Sequence, residues 1–339
     1  MSGFSAWLLR TWYSPRPAWF FIPLAWLFWL LSGLRRSAYT LGLLRTASLP
    51  VPVVVAGNIS VGGTGKTPFV VWLAAALVAR GHKAGIVSRG YGGAARRRPV
   101  LVTPDSAPAV AGDEAVLLAR RTGLPMAVCG DRVAAAELLC SRYTLDLLIS
   151  DDGLQHHRLP RQLEVVLLDG ARGLGNGWLL PAGPLREPEH RLDTADLIVI
   201  KRVGEGRFTW PGALYMSLAA DTAVSLADGR RRPLAEFAGQ AVHALAGIAD
   251  PGQFFATLEA AGLRVDGRPL ADHATLRPTD LEFPDAAPVF MTEKDAVKCT
   301  GLSLPRHWYV EASARFTDAD QALVLERVQR MLAARRAHP

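Results

Sequence analysis

Short apolar runs recur along the first two thirds of the chain, at 51–56, 84–87, 126–129, 145–149, 165–168 and 197–200. They are rich in Val, Ile and Leu without strict alternation, the pattern of strands buried on both faces. Helix-like stretches fall between them, at 69–77, 114–121 and 132–140, the last two preceded by Asp113 and Asp131, residues suited to capping a helix N-terminus. Strands alternating with helices predict a mostly parallel sheet with helices on both faces, whose ligands sit at the carboxyl ends of the strands. After residue 203 the pattern loosens into Gly-, Arg- and Pro-rich sequence. It then restarts with strands at 241–246, 288–291 and 308–310 and helices at 251–261 and 318–334. The chain therefore divides into an N-terminal segment (1–45), an α/β core (46–202) and a smaller α/β domain (203–339) expected to close over a cleft.

The N-terminal segment has its own pattern. Residues 18–34 carry no charge and include Trp19, Trp26 and Trp29, with Arg10 and Arg16 before them and Arg35 and Arg36 after. Seventeen residues fall short of the ~20 that span a hydrocarbon core, and Pro23 interrupts them. A helix lying in the headgroup layer of the cytoplasmic leaflet is the first expectation, a single span the second and a buried core helix the third. The segment then reads as an anchor to the cytoplasmic leaflet. No small-x-small cleavage site follows the run, which argues against a signal peptide.

Composition changes the picture in two places. The net charge of +7 includes the triplets at 96–98 and 230–232, which suit an anionic partner: nucleic acid, acidic lipid or a phosphorylated substrate. Cys129, Cys140 and Cys299 are odd in number and share no C-x-x-C spacing. Neither a disulfide framework nor a zinc knuckle is supported, and a reducing compartment fits.

The chemistry concentrates between the first strand and its helix, where residues 57–68 read GNISVGGTGKTP. Glycines let backbone amides converge on one anion, and a helix N-terminus adds partial positive charge. Ser60, Val61, Gly62, Gly63, Thr64, Gly65, Lys66 and Thr67 therefore read as a nucleotide cradle. Lys66 reaches for the β/γ-phosphates and the Thr67 hydroxyl for Mg²⁺. The strict pattern G-x-x-x-x-G-K-[ST] asks for glycine where Ser60 stands. A second carboxylate for the metal is expected at the end of a nearby buried strand, and Asp151 and Asp152 close the run at 145–149. Gln155, His156 and His157 follow at the same edge as candidates to touch nucleotide or substrate. A guanine-reading [NT]-K-x-D is missing, because in Thr292-Glu293-Lys294-Asp295 the lysine stands one place late. ATP is preferred, and 292–295 reads equally as a loop packed between lobes.

Taken together, these pieces resemble the tetraacyldisaccharide 4′-kinase family, the membrane-associated lipid A 4′-kinases of Gram-negative bacteria. The resemblance covers nearly the whole chain. It rests on GNISVGGTGKTP, SRGYGG (88–93), GDE (112–114), CGDR (129–132), DDGLQH (151–156), PAGPLREP (181–188) and TEKD (292–295), in that order. Ser60 belongs to that family's own loop. Leu154 stands where an aromatic is common, and Ala115 where proline is frequent.

The resemblance implies an ATP-dependent kinase acting on the 4′-hydroxyl of a tetraacylated glucosamine disaccharide 1-phosphate. The partners implied are this anionic acylated sugar and the cytoplasmic leaflet of the inner membrane, with no nucleic acid and no obligate protein partner, and the location implied is the cytoplasmic face of the bacterial inner membrane, with the N-terminal segment as anchor. It implies Asp113 as proton acceptor, assisted by His273 from the second lobe, with Lys66 completing the catalytic set. It also implies substrate contacts from Tyr91, Glu114, Arg132, Arg186 and Glu187, beside Gln155 and His156. A membrane-tethered P-loop NTPase that switches a protein partner is the alternative, although the chain offers a second lobe and an acceptor base rather than a partner-binding helix.

Overall fold

In the computed structural model, which describes residues 3–337 apart from 96, 205, 207, 249, 272, 273, 275 and 300–304, the apolar runs become strands of one continuous sheet. The first half supplies β1 (Val53–Gly57), β2 (Ala84–Ser88), β3 (Val100–Val102), β4 (Met126–Val128), β5 (Leu147–Asp151), β6 (Leu163–Asp169) and β7 (Leu197–Lys201). The second adds β8 (Leu214–Ser225), β9 (Arg231–Pro233), β10 (Ala241–Ala246), β11 (Arg264–Pro269), β12 (Val289–Thr292) and β13 (His307–Phe316). The order across the sheet is β11-β10-β12-β13-β8-β7-β6-β1-β5-β2-β4-β3, with β9 paired to β8. From β8 to β4 every neighbour is parallel, as is every neighbour from β13 to β11. The two parallel sets meet at the antiparallel pair β8/β13. The fold is thus the expected α/β type, and its two halves share one sheet.

The helices are α1 (Gly3–Trp12), α2 (Ile22–Thr40), α3 (Lys66–Val78), α4 (Pro108–Ala111), α5 (Asp113–Thr122), α6 (Arg132–Arg142), α7 (Pro251–Ala260), α8 (Glu293–Ala296) and α9 (Asp318–Ala337). Side chains alternate across β1. Val54 and Ala56 meet the stripe Phe69, Val70, Leu73, Ala74 and Leu77 of α3, with α5 and α9 beside it. Val53 and Val55 meet Val133, Ala136 and Leu139 of α6 on the other face. Burying each large aliphatic or aromatic side chain is worth roughly 1.5–3 kcal/mol. The core flanking β1 therefore fixes where the glycine-rich loop leaves the sheet.

Two expectations are corrected. Asp131 caps α6 by accepting from the Val133 amide at 3.1 Å, but Asp113 does not hold the corresponding seat on α5. Gly112, with φ 92° and ψ 147°, takes the N-cap seat, and Asp113 is the first residue of α5.

The second correction concerns the N-terminal segment. Among the described residues no helix is long and apolar enough to cross a membrane. In α2 the uncharged stretch from Ile22 to Leu34 is about 20 Å at 1.5 Å per residue, against ~30 Å of hydrocarbon. Part of the segment also packs on the core, although Trp19, Trp26 and Trp29 are exposed. Trp12 is buried and its indole donates to the Pro181 carbonyl at 2.9 Å, the Tyr13 hydroxyl lies 3.4 Å from the Val61 carbonyl, and Phe28 packs against the sheet. The anchor, and the membrane location inferred from it, are withdrawn.

Candidate active site

The glycine-rich loop leaves the carboxyl end of β1 and re-enters the fold at Lys66, the first residue of α3. Gly65 makes the last turn with φ 84°, a left-handed backbone that favours glycine. Leu154 is fully buried and comes so close to Gly57 that a Cβ on that glycine would stand 2.6 Å from Leu154 Cγ. The apolar departure at 154 is therefore a packing contact.

Around the loop opens a cleft of about 1790 Å³. Val61 through Thr67 line it, with Asp151 and Asp152 at the end of β5, Gln155 and His156 beyond them, and Arg186 and Glu187 opposite. Tyr91, Glu114 and Arg132 complete the wall, Tyr91 at an exposed rim. Ser60 is buried behind the loop, and Asp113 stands one residue behind Glu114 on the first turn of α5. His273 lies outside the described residues, so its pairing with Asp113 is not placed.

Charge in the cleft is organised around Lys66. Its ammonium lies 3.2 Å from Asn58 Oδ1 and 3.5 Å from Asp152 Oδ1. Asp152 has a left-handed backbone, φ 52°, which Asp tolerates better than most residues; that turn carries its carboxylate to Lys66 and to Arg186 at 3.1 Å. Burial works to raise the Asp152 carboxyl, but Lys66, Arg186 and Arg132 outweigh it and hold it below the ordinary range. Asp151 behaves oppositely. Burial first, then Glu114 and Asp152, push it up to about 7 against Lys66 and a bond from Ser88. Adjacent carboxylates thus occupy different electrostatic states.

Asp151 also supplies a test for a divalent cation. Its Oδ1 is buried and has no hydrogen-bond partner among the described residues. A buried carboxylate oxygen without a partner at a parallel strand end, in the cleft that Thr67 also lines, is the donor type that a hard divalent cation takes. The residues present fit Mg²⁺.

Several side chains with a part in this geometry were not legible as site residues. Asn58 is the clearest: it bonds Lys66, and its carbonyl accepts from Gln155 Nε2 at 3.1 Å. Gln155 also donates to Glu187 at 2.7 Å, and Glu187 pairs with buried Arg191 at 3.2 Å. Beneath the loop, Lys201 ends β7 and pairs with Asp169 at the end of β6 at 2.8 Å while donating to the Gly63 carbonyl at 3.1 Å. Their common signal is polar residues closing apolar runs at the carboxyl edge of a parallel sheet.

His156 and His157 sit in a strongly cationic neighbourhood. Burial, followed by Arg132 for His156 and by Arg161 and Arg35 for His157, depresses both rings to about 4. Between the ordinary imidazole value and about 4 the unfolded chain binds more protons than the folded one, so stability is full above that window and is lost as pH falls through it. The thermal midpoint should drop on acidification over this range. His157→Asn should flatten the drop by on the order of 1 kcal/mol, and an unchanged pH dependence would remove His157 from this account.

Comparison with known proteins agrees with this geometry. The profile of the tetraacyldisaccharide-1-P 4′-kinase family matches residues 17–330. A tetraacyldisaccharide 4′-kinase of Nitrosococcus oceani is 46% identical over 97% of this chain and 96% of its own length. One from Alkalilimnicola ehrlichii is 53% identical over 86% of this chain and 87% of its own. Among solved structures, LpxK from Aquifex aeolicus, crystallised in complex with ATP, superimposes with a TM-score of 0.79 at 26% identity, covering 92% of this chain and 98% of that one. With its glycine-rich cradle, strand-end aspartates and basic cleft in one place, the chain belongs to the tetraacyldisaccharide-1-phosphate 4′-kinase family.

Proposed function

We propose that the protein transfers the γ-phosphate of ATP to the 4′-hydroxyl of a tetraacylated glucosamine disaccharide 1-phosphate. The observation that carries this reading is the convergence, in one cleft, of the Val61–Thr67 cradle with the Asp151–Asp152 pair and the basic residues Arg132 and Arg186. The backbone amides from Gly62 to Gly65 bind the triphosphate, and Lys66 holds charge on the transferring group. Thr67 and Asp151 would hold Mg²⁺, with Asp152 beside them. When bound, the ion offsets the negative charge of the β- and γ-phosphates.

A sugar hydroxyl needs a proton acceptor as well as a positioned phosphorus. Asp113 takes that role in this reading, and His273 assists it from the second lobe. On this reading the Asp113 carboxylate, on the first turn of α5, serves a hydroxyl arriving beside Glu114. Tyr91, Glu114, Arg132, Gln155, His156, Arg186 and Glu187 position the acceptor and its charge. The division into a core (46–202) and a closing domain (203–339) is proposed as the means of excluding water during transfer.

The test is direct. Purified protein with ATP, Mg²⁺ and the disaccharide 1-phosphate should yield a product heavier by one phosphate on the distal sugar, read by mass spectrometry. ATP hydrolysis indifferent to the glycolipid, with no phosphorylated sugar, would sink the reading.

A further inference from the structure

Residues 292–295, which fail as a guanine reader, are built around a carboxylate with no solvent exposure. Thr292 ends β12; its hydroxyl donates to Asp295 Oδ2 at 2.6 Å and accepts from the Asp295 amide at 3.2 Å. Asp295 Oδ2 also accepts from the Gly247 amide at 2.8 Å, tying α8 to the end of β10. A Cβ on Gly247 would stand 2.8 Å from Asp295 Oδ1, so only glycine permits this approach. The remaining oxygen faces Lys298, whose ammonium lies 3.0 Å away.

Lys298 therefore has a fixed position. Its side chain is only 8% exposed, and its ammonium reaches 3.7 Å from Asp113 Oδ2 on α5. One cation is shared by two carboxylates, Asp295 held by two further donors and Asp113 one residue before Glu114 of the cleft wall. Nearby, Glu114 on the same turn is 3.8 Å from Lys294, so α5 and α8 face each other through alternating charges.

From this geometry we infer that Lys298, seated on Asp295, is a positioning residue for the proton acceptor Asp113. The inference rests on the acceptor assignment made for Asp113 above. An ammonium beside the acceptor keeps its carboxylate ionised and aimed. It takes no part in binding nucleotide, because its two partners lie on α5 and α8 rather than on the glycine-rich loop. The TEKD segment thus acts as a scaffold for the acceptor from the second half of the sheet.

Lys298→Met in the full-length enzyme should lower kcat by about ten- to a hundredfold with KM for ATP changed less than about twofold. The acid limb of the kcat–pH profile should move to higher pH, since Asp113 then ionises without its neighbouring cation. Lys298→Arg should restore both in part. If the methionine variant does not fold, Lys298→Gln, which can still donate to Asp295, gives the same readouts. A folded neutral variant with full kcat and an unmoved acid limb overturns the inference, as does a parallel loss of ATP affinity. Asp113→Asn, assayed alongside, separates the two ideas. Full turnover there overturns the acceptor assignment and this inference with it. Lost turnover there, with turnover retained in Lys298→Met, overturns this inference alone.

Discussion

Lys66→Ala is expected to abolish phosphate transfer, lowering kcat/KM by about a thousandfold or more, while the fold survives. The side chain opens α3 and is only 14% exposed, with Asn58 and Asp152 as its contacts. Its loss acts twice. Directly, the triphosphate loses the cation that faces its transferring end. Indirectly, both strand-end aspartates lose a counter-charge, because Lys66 opposes the upward push on Asp151 and holds Asp152 down. Asp151 then shifts further toward its protonated form, so a divalent cation binds there less readily at neutral pH. Lys66→Arg keeps the charge but not the compact ammonium and should recover little. Steady-state kinetics with glycolipid acceptor, beside a thermal melt, decide the matter. A well-folded alanine variant retaining more than about a tenth of wild-type kcat/KM would remove Lys66 from the transition-state machinery.

How much of this was legible in the sequence depends on where the determinants lie. β1, β2, β5, β6 and β7 appear as apolar runs because strands buried on both faces need no polar alternation. β8 was not legible because Leu214–Ser225 is half exposed along its middle; it pairs parallel with β7 on one side and antiparallel with β13 on the other, a role visible only in three dimensions. β11 escaped because it is an edge strand with mostly exposed, charged positions. The glycine-rich loop and the Asp151–Asp152 pair are contiguous motifs, so they stand out in the sequence, and the fold brings them into one cleft. Asn58, Asp169 and Lys201 close apolar runs at the sheet's carboxyl edge, a signal that marks the edge without naming each partner, whereas Lys298 meets Asp113 across a long sequence separation that no local pattern announces.

The N-terminal segment shows a different limit. Hydropathy registers that Trp12, Phe28 and their neighbours avoid water, but it cannot say whether lipid or protein receives them. Here the Trp12 indole finds the Pro181 carbonyl, and Phe28 joins the core face shared with Val53 and Val55. The same ambiguity affected Asp113. An aspartate before a helical pattern ordinarily reads as a cap, but Gly112 occupies that seat with a positive φ that an L side chain rarely adopts. One residue's shift in the helix start moves Asp113 from the cap seat to the first turn of α5.

That shift underlies the second large effect. Asp113→Asn should lower kcat by about a hundred- to ten-thousandfold, the range of a lost general base, while ATP affinity stays within about threefold. Asparagine preserves size and hydrogen bonding but cannot take the hydroxyl proton. As the first residue of α5 rather than its cap, Asp113 supports the helix through charge near the N-terminus, worth roughly 0.3–1 kcal/mol, and Lys298, which it approaches at 3.7 Å, keeps Asp295 as its nearer partner in the variant. The variant should therefore fold with little loss in thermal midpoint. Asp113 also lies away from the Val61–Thr67 cradle, on the α5 side beside Lys298, so nucleotide binding has no reason to fail. Titrating ATP into the variant and measuring single-turnover phosphate transfer to the glycolipid separate these quantities. Equal losses in ATP affinity and turnover would move Asp113 from proton acceptor to the nucleotide site.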